Sequence, residues 1–369
     1  MKTITLFLSL LCASVLAAQT DSFLCDGIYR SFIVHLPTGY SALNSYPLVL
    51  NLHGYTSDGS QQQFYSRMDN VADTAKFINV YPYGTLNAGS RYWNSWGVGV
   101  DDVKFLSTLI DTMMRRYTID ANRVYSCGLS NGGYMSYTLA CQLQDRLAAI
   151  ASVAGTMSNN TVANCLMHRR FPVMHIHGTT DPTVNYNTGA ANSIGVEAVL
   201  QFWRDTNACA GPADTIAVPN TSTTDLCTAQ RIQANGCAGG GDVLFYKITG
   251  GGHTWPNGVI DIPPYGNTNR DFDASVEIWK FFRGHKRLNT GLNDISLPVV
   301  AVYPNPAEGL LQVSGARPLG MVSVYDISGR LMLQQEAGDA FSKTLDVGGL
   351  QPGVYLLTTK AQTLRFTKL

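Results

Sequence analysis

Over roughly its first three quarters the chain alternates between two hydrophobic periods. Residues 32–34 and 47–52 read as strands, the second almost wholly apolar, as a strand covered on both faces requires. The period then lengthens: Val103, Leu106, Leu109, Ile110, Met113 and Met114 recur at helical spacing, behind Asp101 and Asp102, where a first turn favours negative charge. The alternation continues with a strand at 124–127, a helix at 132–141 and strands at 147–153 and 173–176. A helix at 196–206, a loop region up to Gly241, a strand at 243–248 and a helix at 274–282 complete it. This order predicts an α/β domain, a mostly parallel sheet flanked by helices.

After Arg283-Gly284-His285-Lys286-Arg287, read as a solvated helix end, the helical period disappears. Residues 288–301 read as a linker. Beyond them, strand-like stretches at 322–325, 331–334 and 354–358 are separated by turn chemistry at Ser328-Gly329 and Pro352-Gly353, which predicts a small all-β sandwich over 302–369. At the other end, one Lys, an apolar run over 4–16 and the small residues Ala17 and Ala18 have the form of a signal peptide, 1–18, leaving a mature chain from Gln19. The run is shorter than the roughly 20 apolar residues a membrane span needs, so no membrane insertion is expected. Leu11, ahead of Cys12, is not the small residue that precedes a lipidated cysteine. The expected location is secreted, extracellular or at the cell surface, with the main domain at 19–287.

Composition narrows the partners more than the fold. The chain has 369 residues, a formal charge of +0 and 45% hydrophobic residues, enough for one substantial core and a smaller module. Acidic and basic residues form no long blocks, so no footprint for nucleic acid or an anionic membrane exists and a neutral substrate is expected. Without Cys12, seven cysteines remain, at 25, 127, 141, 165, 209, 227 and 237, in a chain bound for a disulfide-permissive compartment. One must stay unpaired, and Cys127, at the end of an apolar strand, is the candidate. The pairings considered are Cys141 with Cys165, and Cys209 with Cys237 or Cys227.

The strongest chemical motif is Gly128-Leu129-Ser130-Asn131-Gly132, a G-x-S-x-G pentapeptide between a predicted strand and a predicted helix. So sharp a turn puts the serine in a strained conformation and exposes its hydroxyl, while the glycines let strand and helix approach. A serine needs a base oriented by an acid, and in this fold they follow in the order Ser, Asp, His. His253, in Gly250-Gly251-Gly252-His253 after a strand, is preferred to His285 in the basic run. Asp181, in Gly178-Thr179-Thr180-Asp181-Pro182, is preferred to Asp145, Asp205, Asp214, Asp225, Asp242 and Glu197, because catalytic groups gather at the carboxyl ends of parallel strands. Asp205 and Asp145 are read as surface partners of Arg204 and Arg146. The catalytic candidates are thus Ser130, Asp181 and His253. Oxyanion donors are expected at the amides of Asn131 and Tyr55, the latter in Leu52-His53-Gly54-Tyr55, where His53 is read as holding the loop. His175 and His177 share a strand face, but two imidazoles without a third ligand make a poor zinc site. Trp93 and Trp96, in Tyr92-Trp93-Asn94-Ser95-Trp96, and Trp255 are candidate substrate-binding rings, with loop packing as the alternative for the first two.

Leu52-His53-Gly54, Asp101-Asp102-Val103, residues 128–133, His177-Gly178-Thr179-Thr180-Asp181 and Gly251-Gly252-His253-Thr254-Trp255-Pro256 together resemble the polyhydroxybutyrate-depolymerase-like esterases. That group includes the feruloyl and acetylxylan esterases of carbohydrate esterase family one. The resemblance spans residues 26–282 and implies an α/β-hydrolase that cleaves an ester through an acyl-enzyme, with no metal or organic cofactor and its triad on the same three residues. It implies plant polysaccharide esters first and a polyhydroxyalkanoate polyester as the alternative substrate. A catalytically dead carbohydrate-binding surface protein is the alternative of another class. In the tail, Tyr303-Pro304-Asn305-Pro306, residues 324–330 and Gly353-Val354-Tyr355-Leu356 resemble C-terminal sorting domains of the type IX secretion system of Bacteroidetes. That resemblance implies recognition by the secretion machinery, then removal, with no part in catalysis. An accessory carbohydrate-binding sandwich is the other reading.

Overall fold

The structure, a computed structural model, describes residues 19–287, 300–315, 318–359 and 363–369. The predicted signal peptide and nearly all of the predicted linker lie outside the described residues. Two compact units are present, one within Met1–Leu288 and the other within Asn289–Leu369.

The first unit is built on a ten-stranded sheet. Its strands in chain order are β1 (Gln19–Cys25), β2 (Ile28–His35), β3 (Tyr46–Leu52) and β4 (Ile78–Pro82). After the small hairpin of β5 (Thr85–Asn87) and β6 (Ser90–Tyr92) come β7 (Ile119–Leu129), β8 (Ala149–Val153) and β9 (Val173–Gly178). The set closes with β10 (Asp214–Ala217), β11 (Thr228–Gln233) and β12 (Val243–Thr249). In space they run β1-β2-β4-β3-β7-β8-β9-β12-β11-β10. The stretch from β4 to β12 is parallel throughout, with antiparallel strands at both margins.

Strand β3 shows why the central strands read as unbroken apolar runs. Every one of its residues is buried, and they divide by period two between opposite faces. Leu48, Leu50 and Leu52 enter a core shared with helix α3 (Asp102–Arg116), α4 (Asn131–Gln142) and α6 (Val196–Thr206). Val49 faces the opposite core, shared with α1 (Gly59–Ser66), α2 (Met68–Ala75) and α7 (Ala274–Arg283). Helix α3 starts where the charge pattern predicts it, Asp101 capping the Lys104 amide at 2.8 Å. A short α5 (Asn159–Ala163) completes the unit, and no helix among the described residues is long and apolar enough to cross a membrane.

Four sequence expectations need correction. The segment read as loop up to Gly241 contains β10 and β11, whose side chains are mostly exposed or half-buried and so carry little apolar pattern. His285 is not a solvated helix end: its ring bonds to the Phe281 carbonyl at 2.8 Å and to Asp242 at 2.9 Å, and it is 11% exposed. Three cysteines rather than one are unpaired. Cys141–Cys165 and Cys209–Cys237 are disulfides, while Cys25, Cys127 and Cys227 are buried thiols, burial pushing the Cys127 thiol up and the Cys227 thiol to about 12. The surface pairs also differ from expectation, since Arg146 meets Asp111 while Asp145 meets His168 at 2.7 Å.

The second unit has two sheets. One is β13 (Val300–Tyr303), β14 (Leu310–Gly315) and β17 (Ser342–Asp346); the other is β16 (Leu331–Gly338), β15 (Gly320–Asp326), β18 (Gly353–Thr358) and β19 (Thr363–Lys368). Leu311, Val313 and Leu345 from the first pack with Val322, Val324, Leu357 and Phe366 from the second in one core. At the predicted Ser328-Gly329 turn, Asp326 accepts from the amides of Ser328 and Arg330 at 2.9 and 3.0 Å.

Candidate active site

Ser130 stands alone between β7 and α4 with φ 54° and ψ −118°, a left-handed conformation costly for any side chain. Its amide donates to the Val153 carbonyl at 2.8 Å and its carbonyl accepts from Tyr134 at 3.0 Å, so both flanks of the turn are held. The glycines of the motif are required by space. A β-carbon at Gly128 would lie 2.6 Å from the Leu52 carbonyl oxygen, and one at Gly132 2.2 Å from that same oxygen. The strand end, the helix start and the end of β3 therefore meet only with glycine at both positions.

The loop after β3 passes beside the serine: a β-carbon at Gly54 would lie 3.6 Å from Ser130 Cβ. His53, fully buried, fixes that loop. Its Nδ1 donates to the Gly54 carbonyl at 2.7 Å and its Nε2 accepts from the Gly84 amide at 2.9 Å, an arrangement that only a neutral ring permits. Burial holds its pKa down at about 4. Among the described residues neither the Tyr55 nor the Asn131 amide has an acceptor, and Asn131 opens α4, whose first-turn amides have no intrahelical partner. The Asn131 side chain is engaged, exchanging two hydrogen bonds with the Trp93 backbone at 2.6 and 3.0 Å.

Asp181 and His253 come together from loops after β9 and β12. His253 Nδ1 lies 2.7 Å from Asp181 Oδ2, and both residues are buried. The other carboxylate oxygen, Oδ1, accepts from the amides of Thr183 and Val184, each at 2.8 Å. The two loops clamp each other through Thr180, whose amide and hydroxyl both donate to the Gly251 carbonyl, and the His253 amide donates to the Tyr265 carbonyl at 2.6 Å. The Ser130 hydroxyl bonds to no described residue. Contacts between nucleophile and base are commonly loose before substrate binds and tighten when it does.

Two of the three expected substrate-binding rings are corrected by burial. Trp93 has no exposed surface, and its Nε1 donates to the His53 carbonyl at 3.0 Å, so it packs the loop beside the serine. Trp255 is equally enclosed, its Nε1 donating to Ser275 Oγ at 3.2 Å. Only Trp96 keeps exposed surface, its ring 5.0 Å from that of Tyr134 on the first turn of α4.

The sequence reading missed a buried ion pair behind this loop. Asp102, read from sequence as a favourable first-turn charge and as part of the Asp101-Asp102-Val103 motif, meets Arg30 at 2.5 Å and accepts from the Asn94 amide at 2.7 Å. It thereby joins α3 to the loop carrying Trp93 and Trp96. Burial raises its pKa despite Arg30, which acts in the opposite direction. The doublet Asp101-Asp102 was the available clue, since one acid suffices to cap a helix.

This domain has the α/β-hydrolase fold. Residues 41–210, which carry Ser130 and Asp181, match the phospholipase/carboxylesterase family, and residues 301–369 match the secretion system C-terminal sorting domain. The chain is 35% identical over 190 residues to a bifunctional acetylxylan esterase/xylanase of Neocallimastix patriciarum, covering 52% of this chain and 26% of that protein. It is 28% identical over 246 residues to feruloyl esterase B of Piromyces equi, covering 63% and 44%. A poly(3-hydroxyalkanoate) depolymerase C of Paucimonas lemoignei is 31% identical over 127 residues, covering 33% and 30%. The chain thus spans less than half the length of these relatives. The acetyl xylan esterase structure from Aspergillus awamori shares the fold, with a TM-score of 0.50 at 14% identity over 64% of this chain and 94% of that one.

Proposed function

We propose that the protein is an exported serine esterase that hydrolyses carboxylic esters of plant cell-wall polysaccharide, feruloyl or acetyl, through an acyl-enzyme on Ser130. The observation that carries this reading is the buried Asp181–His253 pair in one domain with a serine held in a strand-to-helix turn at positive φ. In the first half-reaction Ser130 Oγ attacks the ester carbonyl and His253 Nε2 takes the hydroxyl proton, while Asp181 holds Nδ1–H and stabilises the imidazolium. The amides of Asn131 and Tyr55 receive the oxyanion, each worth roughly 10²–10³ in rate in comparable sites. His253 then protonates the departing alcohol, and a water activated by the same imidazole releases the acid. No step calls for a metal or organic cofactor.

The acetylxylan and feruloyl esterase relatives support the polysaccharide esters, and Trp96 beside Tyr134 offers a ring surface for ferulate or a sugar face. The depolymerase match supports a polyhydroxyalkanoate polyester as the second reading. The match at 301–369 supports export, with the tail delivered to secretion machinery of type IX. Turnover of a simple aryl acetate by the full chain, lost in Ser130→Ala, is the expected result. Saturable carbohydrate binding without turnover would instead make the domain a binding module.

A further inference from the structure

On the side of β9 facing α4 and α6, two histidines and a tyrosine form a chain of hydrogen bonds ending at the loop that carries Asp181. Tyr137 Oη lies 2.6 Å from His175 Nδ1, His175 Nε2 lies 3.2 Å from His177 Nδ1, and His177 Nε2 lies 2.8 Å from the Val184 carbonyl. None of the three side chains is exposed. The last link fixes the direction of the others. A carbonyl only accepts, so His177 Nε2 carries the proton and Nδ1 accepts from His175 Nε2–H; His175 Nδ1 then accepts from the Tyr137 hydroxyl. Every ring nitrogen is used once in this arrangement, and it holds only while both rings are neutral. Burial pushes both imidazoles below their usual range, His175 furthest.

Two contacts connect the end of the chain to the acid. His177 Nε2 is 3.4 Å from Asp181 Oδ2, the oxygen that faces His253. The peptide that His177 pins through the Val184 carbonyl belongs to the same turn whose Thr183 and Val184 amides hold Asp181 Oδ1. We propose that His177, backed by His175 and Tyr137, is a positioning residue that sets the orientation and proton affinity of Asp181. The proposal rests on Asp181 being the acid of the triad. Two parallel imidazoles in register, with ring centroids 5.3 Å apart, supply a rigid polar strut inside an apolar core, where satisfied polar networks are stiff and partly satisfied ones costly. The titratable or charged groups around the strut are Asp181 and His253 at one end and Tyr137 at the other. Tyr186 lies against the His177 ring, with Glu197 and Lys247 beyond it.

The sign of the effect follows from the geometry. Removing the His177 bond to the Val184 carbonyl loosens the Thr183 and Val184 amides on Oδ1 and leaves the Asp181 carboxylate less stabilised and more basic, so it holds the proton on His253 more firmly. The test is the titration of His253, followed by NMR on the full chain carrying labelled histidine, in wild type, His177→Leu, His177→Gln and Tyr137→Phe, with steady-state kinetics on an aryl acetate alongside. The expected result for His177→Leu is a His253 midpoint about one pH unit higher and turnover about tenfold lower, the scale of one lost hydrogen bond to a charged group, with KM little changed. His177→Gln, which keeps an N–H donor, restores most of both, and Tyr137→Phe falls between. A His253 midpoint equal to wild type in folded His177→Leu overturns the proposal. Should that variant not fold, an unchanged midpoint in Tyr137→Phe overturns it equally. The titration is read without substrate, so absence of Ser130-dependent hydrolysis counts against the esterase reading and leaves this test standing.

Discussion

Asp181 presents one oxygen to His253 Nδ1 at 2.7 Å while its other oxygen is held by two backbone amides. The carboxylate can therefore rotate neither away from the imidazole nor into solvent, and it dictates which ring nitrogen carries the proton. Asp181→Asn keeps the shape but turns a donor toward Nδ1, which moves the proton to Nε2 and blocks the base. The expected loss in turnover is roughly 10⁴-fold with little change in KM, the scale known for this substitution in other triads. Steady-state kinetics of the purified variant checks it.

Acid acts on this protein in two separable ways. On the proposed mechanism only a neutral His253 imidazole accepts the serine proton, so turnover is expected to fall in acid. Stability falls for a different reason. His53 stays neutral in the fold down to about pH 4 but takes a proton near 6.5 once unfolded. The unfolded chain thus binds more protons across that window, and folding free energy declines as pH drops from about 6.5 to about 4, by roughly 3 kcal/mol for this residue. His175 and His177, also pushed down by burial, add in the same direction. Thermal denaturation as a function of pH should be visibly flatter between those limits in His53→Gln.

Ser130 carries backbone strain that its proposed role as nucleophile calls for. Ser130→Gly removes the side-chain penalty at φ 54° and should raise stability by about 1 kcal/mol while abolishing turnover. Ser130→Ala should abolish turnover and leave stability near wild type. Calorimetry of the two variants tests the strain, and no gain in the glycine variant would contradict it.

Trp93 and Trp96 allow packing and the proposed substrate contact to be tested apart within one loop. Trp93→Phe leaves the buried His53 carbonyl without its indole donor, which should cost about 1–3 kcal/mol in stability and lower turnover more than it raises KM. Trp96→Ala should raise KM for feruloyl esters with stability almost unchanged. The opposite assignment, KM moving with Trp93 alone, would place the ring surface elsewhere.

The parallel core was readable because strands such as β3 and β9 are buried on both faces and leave unbroken apolar runs, while α3 carries its heptad-like pattern and its acidic cap openly. Strands β10 and β11 were not readable, since a mostly exposed margin has no apolar face to report. At the site, chain order and position at strand ends selected Ser130, Asp181 and His253 from the sequence, and His53 showed its loop-holding place beside Gly54. Trp93 and Trp255 misled because composition cannot tell an aromatic that lines a groove from one enclosed beneath it. The pairing of Asp102 with Arg30 spans 72 residues and leaves no local trace. The Tyr137–His175–His177 chain was half visible, as two histidines on one strand face, but its partner lies on another element.

The most direct test of the central claim is release of product from methyl ferulate, acetylated xylan and polyhydroxybutyrate, measured in parallel with the full chain and its Ser130→Ala variant. Ferulate or acetate released by wild type and not by the variant is the predicted result. Release from the polyester alone would contradict the polysaccharide assignment, and hydrolysis that survives in Ser130→Ala would contradict the acyl-enzyme itself.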